Sequence, residues 1–352
     1  MAQQTYEQQK AAVCYQIMHT GGGDTDPRYR QLVNEVLTAG LFKRTYLSYA
    51  LLVSAAVVGL ASSLYFVTIL DSVWAQVLNG IWFACWSMQW AMFAHDLSHG
   101  EVFQSSRKNH FFALIIWSFV AGLSERYWYQ KHSSHHENPN HDGHDPDVDI
   151  PFVLDHSQIK NHSPFIIKYL LPYQHILFWI TLPLVYVWII QTSLLHLLSG
   201  LNRRAGIELA LILSHYVLLF TFVFLSAPLS GALAFMAGYF IVGGAYMGIA
   251  FAPNHKSEAV IDSTAAYSWV YQITSTRNIY PARVTSFMLG GLNFQVEHHL
   301  FPTMSRYRYR RAQQIVKAFC IREQISYSET TWLQTMFDIH QQLKSVQPVR
   351  EV

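Results

Sequence analysis

Two pairs of long apolar segments constrain the fold of this chain more than any other feature. Residues 46–70 and 74–94 are separated by only three residues, and residues 206–226 and 229–252 form a second pair with a similarly short link. A transmembrane α-helix needs about 20 predominantly apolar residues in succession. The sequence therefore predicts four transmembrane helices arranged as two hairpins.

The distribution of basic residues gives these helices an orientation. The chain has 24 lysine and arginine residues, and none of them lies in either hairpin. Basic residues mark the cytoplasmic side of a membrane protein, so both termini and the region between the hairpins are predicted to be cytoplasmic. We expect segments 110–123 and 176–198 to be interfacial helices, because a fifth spanning helix would carry the basic stretch SRYRYRRAQQ across the membrane. The alternative is that 176–198 spans the membrane and that another segment does not.

The composition excludes several other classes of protein. With 51% hydrophobic and 13% charged residues, the chain is too apolar for an ordinary soluble domain. Its net charge of +2 argues against nucleic acid as the main partner. The three cysteines form no CxxC pattern, so neither a disulfide framework nor a zinc ribbon is expected. We predict an all-α integral membrane protein with a cytoplasmic N-terminal segment (1–45), a core domain (46–318) and a cytoplasmic helical tail (319–352).

The histidines are concentrated at the predicted cytoplasmic ends of the spans and in the cytoplasmic segments. The chain has 18 of them. We predict nine residues from four groups as ligands of a metal centre in a cytoplasmic helical cap: His95 and His99, His132, His135 and His136, His255, and Gln295, His298 and His299. His141 and His144, which follow the second group, are interpreted as local hydrogen-bonding residues.

The spacing of these residues indicates a site for two metal ions. Residues at i and i+4 lie on one face of a helix, about 5–6 Å apart at Cβ. Neutral imidazole binds iron, copper, zinc and nickel, and a single tetrahedral zinc takes only four ligands. Eight imidazoles and an amide suit two ions, each with a position left open for oxygen or water. A zinc hydrolase or receptor remains the alternative at this point.

Three of these motifs resemble the histidine boxes of the membrane fatty acid desaturase family. They read HDLSH (95–99), HSSHH (132–136) and QVEHHLFPTM (295–304). The resemblance extends from about the first span to about residue 318. Many members have histidine where this chain has Gln295, and glutamine there is similar to the front-end branch and to bacterial desaturases resembling linoleoyl-CoA desaturases. FAPNHK (251–256) is similar to the same bacterial group.

The resemblance implies an O2-dependent enzyme that introduces a cis double bond into an acyl chain, with front-end regioselectivity and two non-haem iron ions as cofactor. It implies an acyl-CoA or membrane-lipid substrate and a location in the bacterial inner membrane. The chain contains no HPGG haem motif, so we expect electrons from a separate ferredoxin or free cytochrome with its reductase. A lipid hydroxylase on the same scaffold is the close alternative.

Polar residues next to the predicted ligands are expected to orient the imidazoles through hydrogen bonds. For the two acids that flank Pro146 the alternative is a solvated turn, and for Asn254 it is a helix-end residue. The six residues are Asp96, Asn138, Asp145, Asp147, Asn254 and Asn293.

Four glycines interrupt the fourth predicted span. Small residues allow two helices in a membrane to approach closely, and we interpret the glycines in this way. Room for an acyl chain is the alternative. The four are Gly238, Gly243, Gly244 and Gly248.

Overall fold

A computed structural model of the chain describes residues 26–147, 165–262, 264 and 268–346. Most of the predicted N-terminal segment, the end of the C-terminal tail and Cys14 lie outside these residues. The described chain is mostly helical, which confirms the predicted all-α class. Within it, the two short strands β1 (Arg277–Ile279) and β2 (Ser328–Thr330) pair in parallel.

Helices make up most of the described chain. In chain order, the α-helices are α1 (Pro27–Thr38), α2 (Tyr46–Ile69), α3 (Val73–Ser98), α4 (Ser106–Ile115), α5 (Glu125–Glu137), α6 (Gln174–Thr181), α7 (Val185–Ser199), α8 (Arg203–Ser226), α9 (Leu229–Phe251), α10 (Tyr271–Thr274), α11 (Arg283–Met288), α12 (Gln295–Leu300), α13 (Tyr309–Arg322) and α14 (Trp332–Ser345). Single π-helical turns lie at Ile116–Val120 and Ile166–Leu170, and 3₁₀ turns at Leu171–Tyr173, Leu182–Leu184, Ala252–Asn254, Leu292–Phe294 and Arg306–Arg308.

Among the described residues, four helical segments are long and apolar enough to cross a membrane. They are Tyr46–Ile69, Ile166–Ser199, Arg203–Ser226 and Leu229–Asn254. Three of them coincide with predicted spans. Ile166–Ser199 contains the segment that is predicted to lie at the interface. Helix α3 has the length expected of a span and carries several amides, and its apolar content falls below that of the four. The described chain therefore has the apolar helices of an integral membrane protein. The spanning position of 74–94 and the interfacial position of 176–198 stay predictions.

The chain divides into two compact units. One, the hairpin unit, comprises Thr45–Gln130 and Thr181–Ala250. The other, the histidine-rich unit, comprises the residues up to Arg44, Lys131–Ile180 and the residues from Phe251 onwards.

In the hairpin unit, polar side chains join α2 and α3. The Ser63 hydroxyl donates to the side chain of Asn79 at 2.7 Å, and the Asn79 amide donates to the Ser63 carbonyl at 3.0 Å. Gln76 donates to the carbonyl of Val67 at 3.0 Å. Hydrogen bonds of this kind hold helices together in lipid. They explain why α3 contains amides although it pairs with one of the most apolar helices of the chain.

A buried carboxylate of the hairpin unit holds the start of α5, the helix that carries HSSHH. Glu208 on α8 accepts hydrogen bonds from the Ser124 hydroxyl at 2.7 Å and from the backbone amide of Arg126 at 3.2 Å. The first amides of a helix have no partner within the helix and carry a partial positive charge. Glu208 satisfies one of them and so fixes where α5 begins.

The glycines of α9 make close contacts within the same unit. A Cβ atom at Gly238 would lie 2.5 Å from the carbonyl oxygen of Val77, and one at Gly244 would lie 2.0 Å from that of Pro183. At Gly248 it would lie 2.5 Å from the Leu182 side chain. Gly243 differs, because a Cβ there would meet only Tyr186 at 3.8 Å and Ala84 at 4.0 Å. Three of the four glycines thus permit close packing, while Gly243 borders a small cavity.

In the histidine-rich unit, an apolar core gathers α1, α12 and α13. Helix α1 begins after Asp26, whose carboxylate accepts from the amide of Arg28 at 2.9 Å and from the indole of Trp269 at 2.9 Å. Val296 and Leu300 on α12 are buried in this core with residues of the other two helices. The opposite face of α12 carries Gln295, His298 and His299.

Strand β1 fixes the start of α12. The Asn278 side chain accepts from the amide of Val296 at 2.9 Å and donates to the Glu297 carboxylate at 2.7 Å. The Tyr327 hydroxyl donates to the other oxygen of Glu297 at 3.0 Å. Burial raises the pKa of Glu297 to about 7. This network is directed away from the face that carries the histidines, so it anchors the helix.

Candidate metal centre

Seven of the nine predicted ligands lie together in the histidine-rich unit. Helix α5 supplies three histidines, because positions i, i+3 and i+4 share one helix face. The turn after α9 supplies His255, and α12 supplies Gln295, His298 and His299. All seven side chains are buried.

These seven side chains form two groups of converging nitrogen atoms. In the first, the Nε2 atoms of His135 and His255 are 3.1 Å apart, and the amide nitrogen of Gln295 is 2.9 Å from Nε2 of His255 and 3.1 Å from Nε2 of His299. One ring nitrogen of each of the three histidines lies within 4.8 Å of the others. We call these four residues the first donor set.

The remaining three histidines form the second donor set. Nε2 of His136 is 3.0 Å from Nε2 of His132 and 3.0 Å from Nε2 of His298. The two sets are adjacent, since the His136 and His299 rings stack with centroids 4.3 Å apart.

Partners at Nδ1 orient one histidine of the second set and two of the first. His135 donates from Nδ1 to the Asp145 carboxylate, at 2.9 and 3.0 Å from its two oxygens. Nδ1 of His299 lies 2.9 Å from Oε1 of Gln272. Nδ1 of His298 lies 3.0 Å from the Tyr309 hydroxyl. A partner at Nδ1 leaves Nε2 free to bind a metal.

The turn after α5 reaches across to the segment that carries His255. Asn140 has a positive φ of 55°, and its amide donates to the carbonyl of His255 at 2.8 Å and of Ser275 at 3.2 Å. Residues 140–142 also bond with the backbone of Ile261. The acid-rich stretch that follows HSSHH is therefore folded against the site.

The protonation states of the buried groups favour metal binding. Burial lowers the pKa of His255 and of His299 well below the ordinary histidine value, and the charge of neighbouring imidazoles is the second largest cause. Neutral imidazole is the form that binds metals. Burial alone would raise the pKa of Asp145, but the adjacent His135 lowers it below its ordinary value. Asp145 is therefore an ionised acceptor for His135.

The geometry of the donor sets fits a metal ion in each. Metal–nitrogen bonds of about 2.0–2.1 Å place neighbouring ligand atoms about 3 Å apart, which matches the separations of 2.9–3.1 Å within both sets. His135 and His299 use their Nδ1 protons elsewhere, so their Nε2 lone pairs point into the first donor set.

The other two predicted ligands, His95 and His99, belong to the hairpin unit. They lie at the C-terminal end of α3, with ring centroids 4.6 Å apart. Asp96 is buried beside them, 3.5 Å from Nδ1 of His95. Glu101 is buried nearby and accepts from the Tyr49 hydroxyl at 3.0 Å.

The other residues predicted to orient imidazoles differ in the partners of their side chains. Asp147 forms an ion pair with Lys131 and lies 3.6 Å from Nδ1 of His135. Asn254 donates to Gln295 at 3.2 Å rather than to a histidine. Asn138 bonds to the backbone of Ser134. The side chain of Asn293 is buried and makes no hydrogen bond within the described part of the chain.

Gln272, Tyr309 and Asn140 contact the donor sets or their backbone but were not predicted from the sequence. Gln272 lies 27 residues before His299, and Tyr309 lies 11 residues after His298. No motif joins either residue to a histidine box. Only the packing of α10 and α13 against α12 brings them to the site.

Comparison with known proteins identifies the family. A family model described as fatty acid desaturase matches residues 72–331. The chain is 26% identical over 317 residues to the Delta(8)-fatty-acid desaturase of Euglena gracilis, covering 85% of this chain and 74% of that protein. It is 31% identical over 257 residues to fatty acid desaturase 3 of Bos taurus and 29% identical over 255 residues to the Homo sapiens protein of that name.

The two mammalian alignments cover 71% of this chain and 57% and 56% of those proteins, so the chain spans little more than half their length. The region matched by the family model contains all nine predicted ligands and both donor sets. The chain belongs to the fatty acid desaturase family.

Proposed function

We propose that this chain is an O2-dependent desaturase that introduces a cis double bond into a fatty acyl chain. The observation that carries the proposal is the division of seven buried side chains into two donor sets, each with nitrogen atoms about 3 Å apart. Methylene C–H bonds have no acidity that a general base could use. Their oxidation needs a redox metal, and each of the two sets of converging imidazoles is suited to holding one metal ion.

We propose two non-haem iron ions as the cofactor and the nine residues predicted from the sequence as their ligands. The two donor sets support seven of these residues. His95 and His99 rest on the HDLSH motif and on their adjacent positions at the end of α3. When bound, the iron ions supply the activation of O2 and the abstraction of hydrogen.

The chain's own residues hold this cofactor and fix its surroundings. Asp145 and Gln272 keep the Nδ1 protons of His135 and His299 engaged, so that both rings present Nε2. The burial of all seven side chains keeps bulk water away from the metals. This exclusion matters because stray protons and water divert reactive oxygen chemistry from the substrate.

Gln295 is proposed to bind through its amide oxygen. Its amide nitrogen faces His255 and His299, while its oxygen accepts from Asn254. The two ends of an amide have the same shape. Turning both amides keeps the bond between Gln295 and Asn254, directs the Gln295 oxygen at the first donor set, and uses the Asn254 oxygen that otherwise has no partner among the described residues.

The acyl chain is proposed to lie along one face of α3. A small cavity in the hairpin unit is lined by Ala84, Met88 and Ala91. Together with His95 these residues fall at i, i+4, i+7 and i+11, which is a single helix face. The wall opposite includes Tyr186, Tyr239 and Gly243. A substrate on this face would place one pair of methylenes at a fixed distance from His95, and such positioning sets which bond is oxidised.

Front-end regioselectivity and a separate electron donor complete the proposal. The glutamine that opens the third box supports the first, as does the similarity to a protein named Delta(8)-fatty-acid desaturase. The substrate would be an acyl-CoA or a membrane lipid. Arg310 and Arg311 at the start of α13 are exposed and would suit an acidic ferredoxin or a free cytochrome with its reductase by charge complementarity. On the orientation proposed from the basic residues, the site faces the cytoplasm.

The proposal is tested by pairing two histidine variants from the same stretch of chain. His136→Ala removes the central nitrogen of the second donor set, whereas His144→Ala removes an exposed ring that lies edge-on to His141. Expressed with a compatible reductant, wild type and His144→Ala should form an unsaturated product seen by mass spectrometry. His136→Ala should form none while inserting normally into the membrane.

Three outcomes would contradict the proposal. Full activity of His136→Ala would refute the ligand assignment. A hydroxylated product in the wild type would show an oxygenase on the same scaffold. Stoichiometric zinc without iron in the purified protein would favour a hydrolase or receptor instead.

A further inference from the structure

Helix α14, near the end of the described chain, has three sides with different surroundings. One side is buried, because Thr335, Ile339 and Leu343 recur at intervals of four residues and so share one face of the helix. A second side is bonded to β1, since the Asp338 carboxylate accepts from the Arg277 guanidinium at 2.9 Å. These two sets of contacts fix how the helix is turned about its own axis.

The third side of α14 presents large apolar side chains. Leu333 is 74% exposed and Phe337 is 56% exposed. His340 and Lys344 continue the same line, because positions i, i+4, i+7 and i+11 lie on one face of a helix. We call these four residues the α14 stripe. Exposed apolar side chains that are grouped in this way mark a surface for a membrane or a protein partner.

The α14 stripe contacts one of the apolar segments that are long enough to cross a membrane. The ring of His340 lies 5.0 Å from the ring of His175, measured between centroids. Nδ1 of His340 accepts from the indole of Trp179 at 3.4 Å. Both partners belong to the candidate span Ile166–Ser199. The stripe therefore leads from a membrane helix to the exposed side chains of α14.

The beginning of that candidate span has the side chains of a membrane–water interface. Phe165, Tyr169 and Tyr173 are each more than half exposed. The ammonium of Lys168, which is also exposed, lies 5.1 Å from the centre of the Tyr169 ring. Aromatic residues are enriched where a membrane helix meets water. Ile166–Ser199 meets lipid whether it spans the membrane or lies at its surface, so the α14 stripe is continuous with a surface that faces lipid.

We propose that α14 lies in the membrane–water interface, with Leu333 and Phe337 inserted among lipid acyl chains. A helix of this kind buries its apolar side about 5–10 Å into the boundary between headgroups and acyl chains. At the other end of the stripe, Lys344 extends its apolar stem along this boundary and keeps its ammonium group among the headgroups. The histidine-rich unit then meets the bilayer through a helix of its own, in addition to its chain connections to the spans.

The experiment attaches the fluorophore NBD to single positions of the full-length protein. Leu333→Cys and its matched control Gln334→Cys are labelled in detergent and reconstituted into phosphatidylcholine nanodiscs, and labelled wild type gives the background from the native cysteines. Neighbouring helix positions point about 100° apart, and Gln334 is exposed on the side of Asp338, to which it donates at 2.8 Å. Lipid brominated in its acyl chains should quench the fluorophore at position 333 several-fold more than at position 334. Aqueous iodide should show the reverse order.

A second stripe variant keeps the test decisive if the first does not fold. Phe337→Cys, one turn further along α14, should repeat the result of Leu333→Cys. Strong quenching by iodide at the stripe positions would overturn the inference, because it would show a surface open to water. Protection from both quenchers would also overturn it, since a second copy of the chain would then cover the stripe. Equal quenching at positions 333 and 334 would show that α14 presents no fixed face to lipid and would overturn it as well.

Discussion

Adjacent glycines in α9 should respond in opposite ways to the same substitution. A Cβ atom at Gly244 would lie 2.0 Å from the carbonyl oxygen of Pro183 and 2.5 Å from its carbonyl carbon. Ordinary carbon–oxygen contacts begin at about 3.3 Å. Gly244→Ala must therefore push two backbone segments apart by about 1.3 Å, the gap between 2.0 Å and that contact. Gly243→Ala places its methyl group in ordinary contact with Tyr186 and Ala84.

The two free-energy changes follow from these contacts. Overpacking a well-packed interior costs about 1–3 kcal/mol, and Gly244→Ala belongs at the upper end because neither backbone segment can rotate away. Replacing glycine by alanine within a helix returns about 0.5–1 kcal/mol. We expect a net loss of about 2 kcal/mol for Gly244→Ala and a change between zero and a gain of about 1 kcal/mol for Gly243→Ala.

The assay is thermal unfolding of the two purified variants in one detergent at one scan rate. A loss of about 2 kcal/mol corresponds to a midpoint lowered by about 3 °C, because the entropy of unfolding of a chain of 352 residues is about 0.7 kcal/mol/K. Gly243→Ala should unfold at the wild-type midpoint or slightly above it. Equal midpoints for the two variants would refute the close approach of α9 to Pro183.

Two further predictions concern the histidine-rich unit. Burial raises the pKa of the Cys320 thiol to about 12. A maleimide at neutral pH should therefore leave Cys320 unmodified in the folded protein and label it after denaturation. Labelling of Cys320 in the folded chain would contradict its burial. Arg28 beside Asp26 holds the pKa of that carboxyl below its usual range. The stability due to ionised Asp26 is therefore fully present above the unfolded-state pKa of about 3.9. It is lost as the pH falls through the folded-state pKa. Asp26→Ala should cost about 0.5–2 kcal/mol at neutral pH through loss of the helix cap, whereas Asp26→Asn should keep the cap and unfold with less dependence on acid. An unchanged acid dependence in Asp26→Asn would contradict this role.

The grouping of the histidines could be predicted from sequence because helical spacing is local. His132, His135 and His136 must share a helix face once α5 forms, and the same holds for Gln295, His298 and His299 on α12. The division of seven residues into two donor sets could not be predicted. It depends on where the turn after α9 places His255, and that position is set by Asn140 through a hydrogen bond across 115 residues.

Helix α3, which the sequence predicts as a span, shows where hydropathy alone falls short. Gln76 and Asn79 are among the polar residues that lower the hydropathy of α3, yet their side chains are buried and bonded to α2. Hydropathy counts a polar side chain in the same way whether it faces lipid or a neighbouring helix. The partner helix decides what the polar group costs, and the pattern within one segment does not contain that information.

The third box shows why its ligands need no metal to be held in place. Helix α12 has only six residues, and an isolated helix of that length is unstable in water. It is held because Val296 and Leu300 are buried in the core, because Asn278 accepts from its first turn, and because the Tyr29 hydroxyl donates to the Leu300 carbonyl at 3.2 Å. Tyr29 lies 271 residues before Leu300, so no local pattern could reveal it. The ligand face of α12 is thus fixed by apolar packing on its other face, and the donor atoms are positioned before any ion arrives.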